Sequence, residues 1–319
     1  MKNVSKKTSQ FQYDRTAFKM KSNCLNLLGA AACVALFSPS LVSASPILGP
    51  DVASFTVLGA SAVVNVPTSS IGGNVGVWSS GGANSIAGFL SSPGSAVSDP
   101  QVTAGVVHAG DTVAQSAQAQ LTAAILNLGS MGPGTTLSLA DMAGLTLTPG
   151  VYTVPAGTTN LSGALTLDGQ GNANAAWVFQ MPSTLITSPN SVVNMINAGS
   201  GAGLFWNVGS SATIDTNTKF LGNILSLASI TMNSTASDSC GRALASTGAV
   251  TLGHNSLSNS CVDSSGGLSG GLDVVTTPEG VTKVNVLPAA STPIPAAAWL
   301  MGSGLMGMIG LRRRKGLIV

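Results

Sequence analysis

Charge is scarce in this sequence. Asp, Glu, Lys and Arg together make up 8% of the 319 residues and aromatics 4%, both low for a globular chain. What charge there is lies mostly at the ends. Lys2, Lys6, Lys7, Arg15, Lys19 and Lys21 precede the first apolar run, and Arg312, Arg313, Arg314 and Lys315 follow the last. Only Lys219, Arg242 and Lys283 lie between, against nine Asp from Asp51 to Asp273 and Glu279. The centre is therefore mildly acidic despite a formal net charge of +2, which disfavours nucleic acid or anionic lipid as its partner. Nor does polarity without charge suit a disordered chain, which is usually rich in net charge and poor in β-branched residues.

Histidine is scarcer still. His108 and His254 stand at no metal-ligand spacing from Cys, Asp or Glu. No Gly-x-Ser-x-Gly elbow occurs, and "GQGNAN" (Gly169–Asn174) leads into a strand pattern rather than a phosphate-binding helix. Asp168 and Asp215 each close a β pattern, where a carboxylate more often makes an Asx-turn than an acid/base pair. A polysaccharide-cleaving groove needs acidic clusters and aromatics; there are four Trp, one of them Trp299 near the C-terminus. No enzyme, metal or cofactor is expected.

The ends read as addresses. Basic residues through Lys21 precede "CLNLLGAAACVALFSPSLVSA" (Cys24–Ala44), which has the form of a signal peptide with a small-x-small site at Val42-Ser43-Ala44. Met20 is an alternative start, and an uncleaved anchor helix is the other reading of the run. Near the C-terminus, "TPIPAAAWLMGSGLMGMIGLRRRK" (Thr292–Lys315) joins a short apolar span to four cations. On physical grounds this is an anchor that keeps its basic end in the cytoplasm. Its order resembles the PEP-CTERM type of sorting tail in its Val-Pro-Leu-Pro-Ala-like variant, although the Pro-Glu-Pro core is absent. The resemblance implies an exosortase-type processing protease as a partner, acting near Pro293–Pro295 ahead of Arg312, Arg313 and Arg314, with release to the cell surface. The expected organisation is a signal peptide over 1–44, one domain over 45–287, and a sorting tail over 288–319. Cys24 and Cys33 leave with the leader. In an oxidising compartment Cys240 and Cys261 then form a disulfide, worth roughly 3 kcal/mol for a loop of about 20 residues; two buried thiols are the alternative.

Glycine (39 residues), Ser, Thr, Ala and Asn fill the space that charge leaves. Asp111–Leu128, "DTVAQSAQAQLTAAILNL", carries an apolar stripe through Val113, Ala117, Leu121, Ala124, Ile125 and Leu128, with Asp111 as N-cap and Gly129 as stop. This predicts a helix laid along a sheet. The rest alternates in short strands. "WVFQMPSTLITSPNS" (Trp177–Ser191), "LFWNVGSSATIDTNT" (Leu204–Thr218), "LGNILSLASITMNST" (Leu221–Thr235) and "GRALASTGAVTLGHNS" (Gly241–Ser256) share an apolar stretch, a break, an alternating strand and a polar corner. Units of this length that cannot bury their own faces stack as a solenoid; a β-sandwich is the alternative.

With "LTPGVYTVPAGTTNLSGALTLDGQGNANAAWVFQMPSTL" (Leu147–Leu185) and "SSIGGNVGV" (Ser69–Val77), these segments resemble the microbial ice-binding-protein-like family over about Val52–Ser258. The resemblance implies a mainly β fold: a right-handed, irregular β-solenoid of triangular section with one long α-helix packed alongside. It also implies ice as the ligand. Strands ~4.8 Å apart with same-face residues ~6.7 Å apart come close to ice-lattice repeats, and Thr offers a hydroxyl and a methyl without charge. The candidates are Thr213, Thr231 and Thr251, with Ser211, Ser229 and Ala249 (or Gly248) beside them, and Thr216, Thr218, Ser234 and Thr235 at the corner. Two features point the other way: the Thr-Ala/Gly-x-Thr/Asn corner motif has no clean copy, and Lys219 adjoins "TNT". A non-enzymatic structural or adhesive role in an extracellular polysaccharide matrix is therefore the alternative.

Overall fold

The computed structural model describes residues 44–289 apart from 67, 80, 262–266 and 278–281. Apart from Ala44, the expected leader lies outside the described residues, as do Pro293, Pro295, Arg312, Arg313 and Arg314. Among the described residues no helix is long and apolar enough to cross a membrane.

The domain is a parallel β-solenoid with three sides, because each coil has three short runs whose apolar residues alternate inward. The helix-covered side stacks Thr135–Thr136, Gly150–Thr153, Ala176–Met181, Gly203–Val208 and the second halves of Lys219–Ser226 and Ser237–Ala245, then Phe55–Gly59, Asn74–Val77 and Val107–Ala109. The N-terminal coils thus lie beyond the last C-terminal coil rather than before the first. They join it on all three sides, through Val57↔Ala243, Val63↔Val250 and Ser70↔Ser256.

This order explains the long helix. After Val107–Ala109 at one end, the chain must return to Thr135–Thr136 at the other. Helix α2 (Thr112–Ser130, 19 residues) covers about 28 Å of that path. Asp111 caps it, accepting from the Ala114 amide at 2.9 Å. The helix runs one residue past Gly129. Its buried stripe is Ala114, Ala117, Leu121, Ala124 and Leu128, while Val113, expected in the stripe, is 37% exposed. The stripe packs on outward apolar residues of the covered side, among them Ala176, Val178, Phe205, Leu225 and Leu244. A second, short helix, α1 (Pro50–Ser54), is tied to α2 by Gln120, whose Oε1 accepts from the Asp51 and Val52 amides.

Inside the coils, aromatics stack from rung to rung. Ring centroids are 5.8 Å apart for Tyr152–Phe179, 4.2 Å for Phe179–Trp206 and 5.0 Å for Trp206–Phe220. The third side stacks Thr146–Leu147, Ala164–Asp168, Val192–Ile196, the first halves of the two long strands, Ser256–Ser258, Ser70–Gly72 and Val102–Thr103, and the long strands turn from it to the covered side at a bulge between Phe220 and Gly222. Gly222 takes a φ of +100° there. A disulfide joins Cys240 to Cys261 across a Cα separation of 4.7 Å. Ala44–Pro46, Leu272–Thr276 and Thr282–Val286 form a small antiparallel sheet, whose apolar residues share the cluster beneath α2.

Two charged groups are buried near this closure. Arg242 donates to the Ala53 carbonyl through Nε and Nη2, and through Nη1 to Asn223 Oδ1 and the Gly267 carbonyl. Asp238 points into the lumen, where Oδ2 finds no hydrogen-bond partner. Burial pushes its pKa up to about 8, against the opposing pull of the Cys240 amide and the Arg242 charge.

Trp206→Ala removes the centre of the aromatic stack, with an expected loss of about 3–5 kcal/mol in chemical denaturation. For Asp238, the folded state holds more protons than the unfolded state between the unfolded carboxylate range and pH 8. Stability therefore falls as pH rises through that window. Asp238→Asn is expected to flatten this slope in a Tm-against-pH series, with its advantage greatest at and above pH 8.

Candidate functional site

The side facing neither α2 nor the Lys219 strand is built from Leu185–Ile186, Ala212–Ile214, Ile230–Met232, Val250–Leu252, Val63–Asn65 and Ile86–Ala87, in that order. In Ala212-Thr213-Ile214, Ile230-Thr231-Met232 and Val250-Thr251-Leu252 the outer residues are buried and the middle one half-buried. A three-residue strand with apolar ends can present only its centre outward. Register then aligns the centres: Thr213 opposes Thr231, and Thr231 opposes Thr251. The row continues to Ile186 on one side and to Val64 and Ala87 on the other.

Ser211, Ser229 and Ala249 form a parallel row, since their carbonyls accept from Leu185, Ala212 and Ile230. The serine hydroxyls also hold the coils together. Ser211 Oγ accepts from the Ser229 amide at 3.3 Å, and Ser229 Oγ from the Ala249 amide at 3.2 Å. Gly248 allows that approach, because a Cβ there would stand 2.3 Å from Ser229 Oγ.

The corner candidates divide. Thr216, Ser234 and Thr235 are exposed at the turn into the third side. Thr218 corrects the sequence expectation: it is fully buried. It occupies the first inward position after the corner, its hydroxyl 3.2 Å from that of Thr187 and 3.2 Å from the Ser188 carbonyl, so it cannot meet a surface ligand. Lys219, the next residue, points outward from the third side, paired between Val192 and Ser237, and leaves the threonine row clear.

One corner position is left-handed in four successive coils: Asn190, Asn217, Thr235 and His254, with φ of 64°, 58°, 63° and 53°. Backbone bonds from Asn190 to Thr216, Asn217 to Ser234 and Thr235 to Gly253 stack these residues, and Asn217 Nδ2 donates to Asn190 Oδ1 at 2.6 Å. The recurrence of Asn, a residue tolerant of this region, was the signal in the sequence. His254 is thus an exposed turn residue.

Asp215 lies at the corner that follows Ala212–Ile214. Hydrogen bonds from Asn233 Nδ2 (2.8 Å) and the Thr216 amide (2.7 Å) hold its pKa below the ordinary value. It therefore stays ionised, and its contribution to stability is lost only as pH falls below the usual carboxylate range. Asp168 is used similarly, by the Gln170 amide and Asn197. His108 Nδ1 lies 2.6 Å from Asp111 Oδ2, the N-cap of α2, and its ring packs on Phe55. Each of these polar groups is engaged in holding a turn or a helix end.

Residues 57–258 match the ice-binding-like family. The chain belongs to that family. It is 42% identical over 207 residues to an ice-binding protein of Nostoc sp. (strain HG1), a match covering 65% of this chain and 72% of that protein. It is 30% identical over 235 residues to an ice-binding protein of Flammulina populicola, covering 68% of this chain and 92% of that one. Among solved structures, the ice-binding protein of the Antarctic ascomycete Antarctomyces psychrotrophicus superposes with a TM-score of 0.57 at 30% identity, covering 68% of this chain and 98% of that one. A domain of Shewanella frigidimarina ice-binding protein 1 gives 0.60 at 26% identity, over 68% and 99%.

A β-branched residue is strained in the left-handed region. Thr235→Asn is expected to raise stability by about 1 kcal/mol, read as a higher Tm, and to extend the asparagine ladder from Asn217.

Proposed function

We propose that this protein binds ice through the side carrying Thr213, Thr231 and Thr251. The observation that carries the reading is the register that aligns the three threonines on consecutive rungs of one sheet. Each hydroxyl can hold one water and each methyl disfavours bulk water. Their backbone positions are fixed by the ladder on both sides, so little ordering entropy remains to be lost on contact. Single contacts are weak; a rigid array acting together is strong by multivalency. Ser211, Ser229 and Ala249 form the adjoining row, and Thr216, Ser234 and Thr235 its rim. The identity to proteins named for ice binding supports the same reading.

The leader and tail read from the sequence support a location outside the cell, on the surface or extracellular, with processing by an exosortase-type protease. The role is one of binding rather than catalysis. The tail also favours a second reading, in which the domain is a structural or adhesive component of an extracellular polysaccharide matrix.

Purified protein is expected to show thermal hysteresis and to inhibit ice recrystallisation. Thr231→Tyr, a bulky group in the middle of the row, is expected to abolish both while circular dichroism and Tm stay at the parental values. Parental protein that shows neither activity yet binds the producer's polysaccharide would replace the ice reading with the matrix one.

A further inference from the structure

The third side is not level. Lys219 stands in the middle of it, a long chain between Val192 and Ser237, and the long strands bulge between Phe220 and Gly222. Where the bulge turns to the covered side lies a cleft of about 420 Å³, within the range of small-ligand sites. Its apolar lining is Met195, Leu221, Leu268 and the Cys240–Cys261 disulfide. Asn197 and Ser200, both exposed, form its lip. Among the described residues no ionisable side chain lines it. The cleft is also preformed. Leu268 is buried, and its carbonyl accepts from Asn223 Nδ2 and the Leu204 amide, both at 2.8 Å. Arg242 Nη1 holds the Gly267 carbonyl at 3.0 Å. Asn197 Nδ2 donates to Asp168 Oδ1 at 2.9 Å, which fixes the amide and leaves its oxygen as an acceptor on the lip. A polar row leads to this place. Thr146, Thr166 and Asn194 pair in register on consecutive rungs and face outward, and Asn194 adjoins Met195 of the cleft. Unlike Ser211 and Ser229, whose hydroxyls accept amides of the next coil, they make no side-chain hydrogen bond among the described residues.

Deepening the second reading above, in which the domain belongs to a polysaccharide matrix, we propose that this cleft and row bind a chain of uncharged sugar residues. A pyranose presents apolar C–H faces and an edge of neutral hydroxyls. An apolar cleft with an amide and a hydroxyl at its lip complements both. Rungs ~4.8 Å apart extend the contact along a polymer through groups that can donate and accept without charge. An ionic ligand would find no counter-charge in the cleft, where an unpaired charge is costly. A crystal face cannot enter a concave corner, and Lys219 would hold it off; a flexible chain can follow both. A preformed site also spares the ordering cost of binding. The cleft occupies the corner opposite the threonine side, so a domain held to a matrix there keeps its threonines uncovered.

Native affinity electrophoresis of the full-length protein tests the site, with the producer's extracellular polysaccharide, amylose, mannan and polygalacturonate as probes. The producer's polysaccharide or a neutral probe should retard the parent, and added salt should not change this. Ser200→Arg, which fills the mouth, and Asn197→Gly, which removes the lip acceptor, should each weaken retardation about tenfold, the scale of one lost neutral hydrogen bond. Tm and thermal hysteresis should stay parental in both, and Thr231→Tyr should be retarded as the parent is. If either cleft variant fails to fold by circular dichroism, Asn194→Ala, at an exposed position beside the cleft, carries the same test. Retardation by polygalacturonate alone, lost in added salt, would replace the uncharged glycan with an acidic one. Folded cleft variants retarded like the parent, or retardation abolished by Thr231→Tyr, would end this site and leave the matrix reading standing. A parent retarded by no polysaccharide would end both, and hysteresis in that protein would leave the ice reading untouched.

Discussion

The solenoid depends on the backbone pairing of its N-terminal coils with its last C-terminal coil. Parallel coils leave an open edge of unpaired amides and carbonyls at each end, and such edges invite pairing with other chains. Here the edge of the last C-terminal coil is closed on all three sides by strands from the start of the domain. Arg242 secures the junction by spending its guanidinium on the Ala53 carbonyl, Asn223 and the Gly267 carbonyl. That single buried cation ties together the short N-terminal helix, a central coil and the segment after the disulfide. Helix α2 follows from the same arrangement, because a chain that starts at one end and must rebuild from the other needs a long, straight return.

Much of this was legible in the sequence, and the limits have physical causes. The helix showed itself through a stripe at period 3.6 and an Asp at its cap. The coils showed themselves through alternation and recurrent Thr, and the alignment of Thr213, Thr231 and Thr251 follows from units of similar length. Thr218 was misleading because the corner interrupts the strand without changing its phase: Thr216 and Asn217 turn to solvent, and Thr218 resumes the inward set of Ala212 and Ile214, which leaves Lys219 outward on the next side. The pairing of Thr251 with Val64 left no periodic trace, since the N-terminal coils carry different residues and lie far away in the chain. Asp238 reads like any other Asp in a polar stretch; only the fold places it in the lumen.

The shortage of charge has a structural counterpart. Several carboxylates outside the core hold local geometry: Asp111 a helix end, Asp168 and Asp215 corners. The serines of the row beside the threonines accept amides from the next coil, so the surface and the ladder beneath it are one hydrogen-bonded object. A side made this way has few long, mobile chains, and that is what allows small groups to keep fixed spacings.

The small antiparallel sheet has a geometric consequence. Its outer members, Ala44–Pro46 and Thr282–Val286, are the first and last strands among the described residues, and both lie against the middle strand Leu272–Thr276, whose Leu272 and Val274 pack into the cluster beneath α2. The polypeptide thus enters and departs on the flank turned away from the threonines. A leash, a fused cargo or a membrane attachment joined at either terminus would hold the domain from behind, like a handle, with its working side pointed at whatever lies in front.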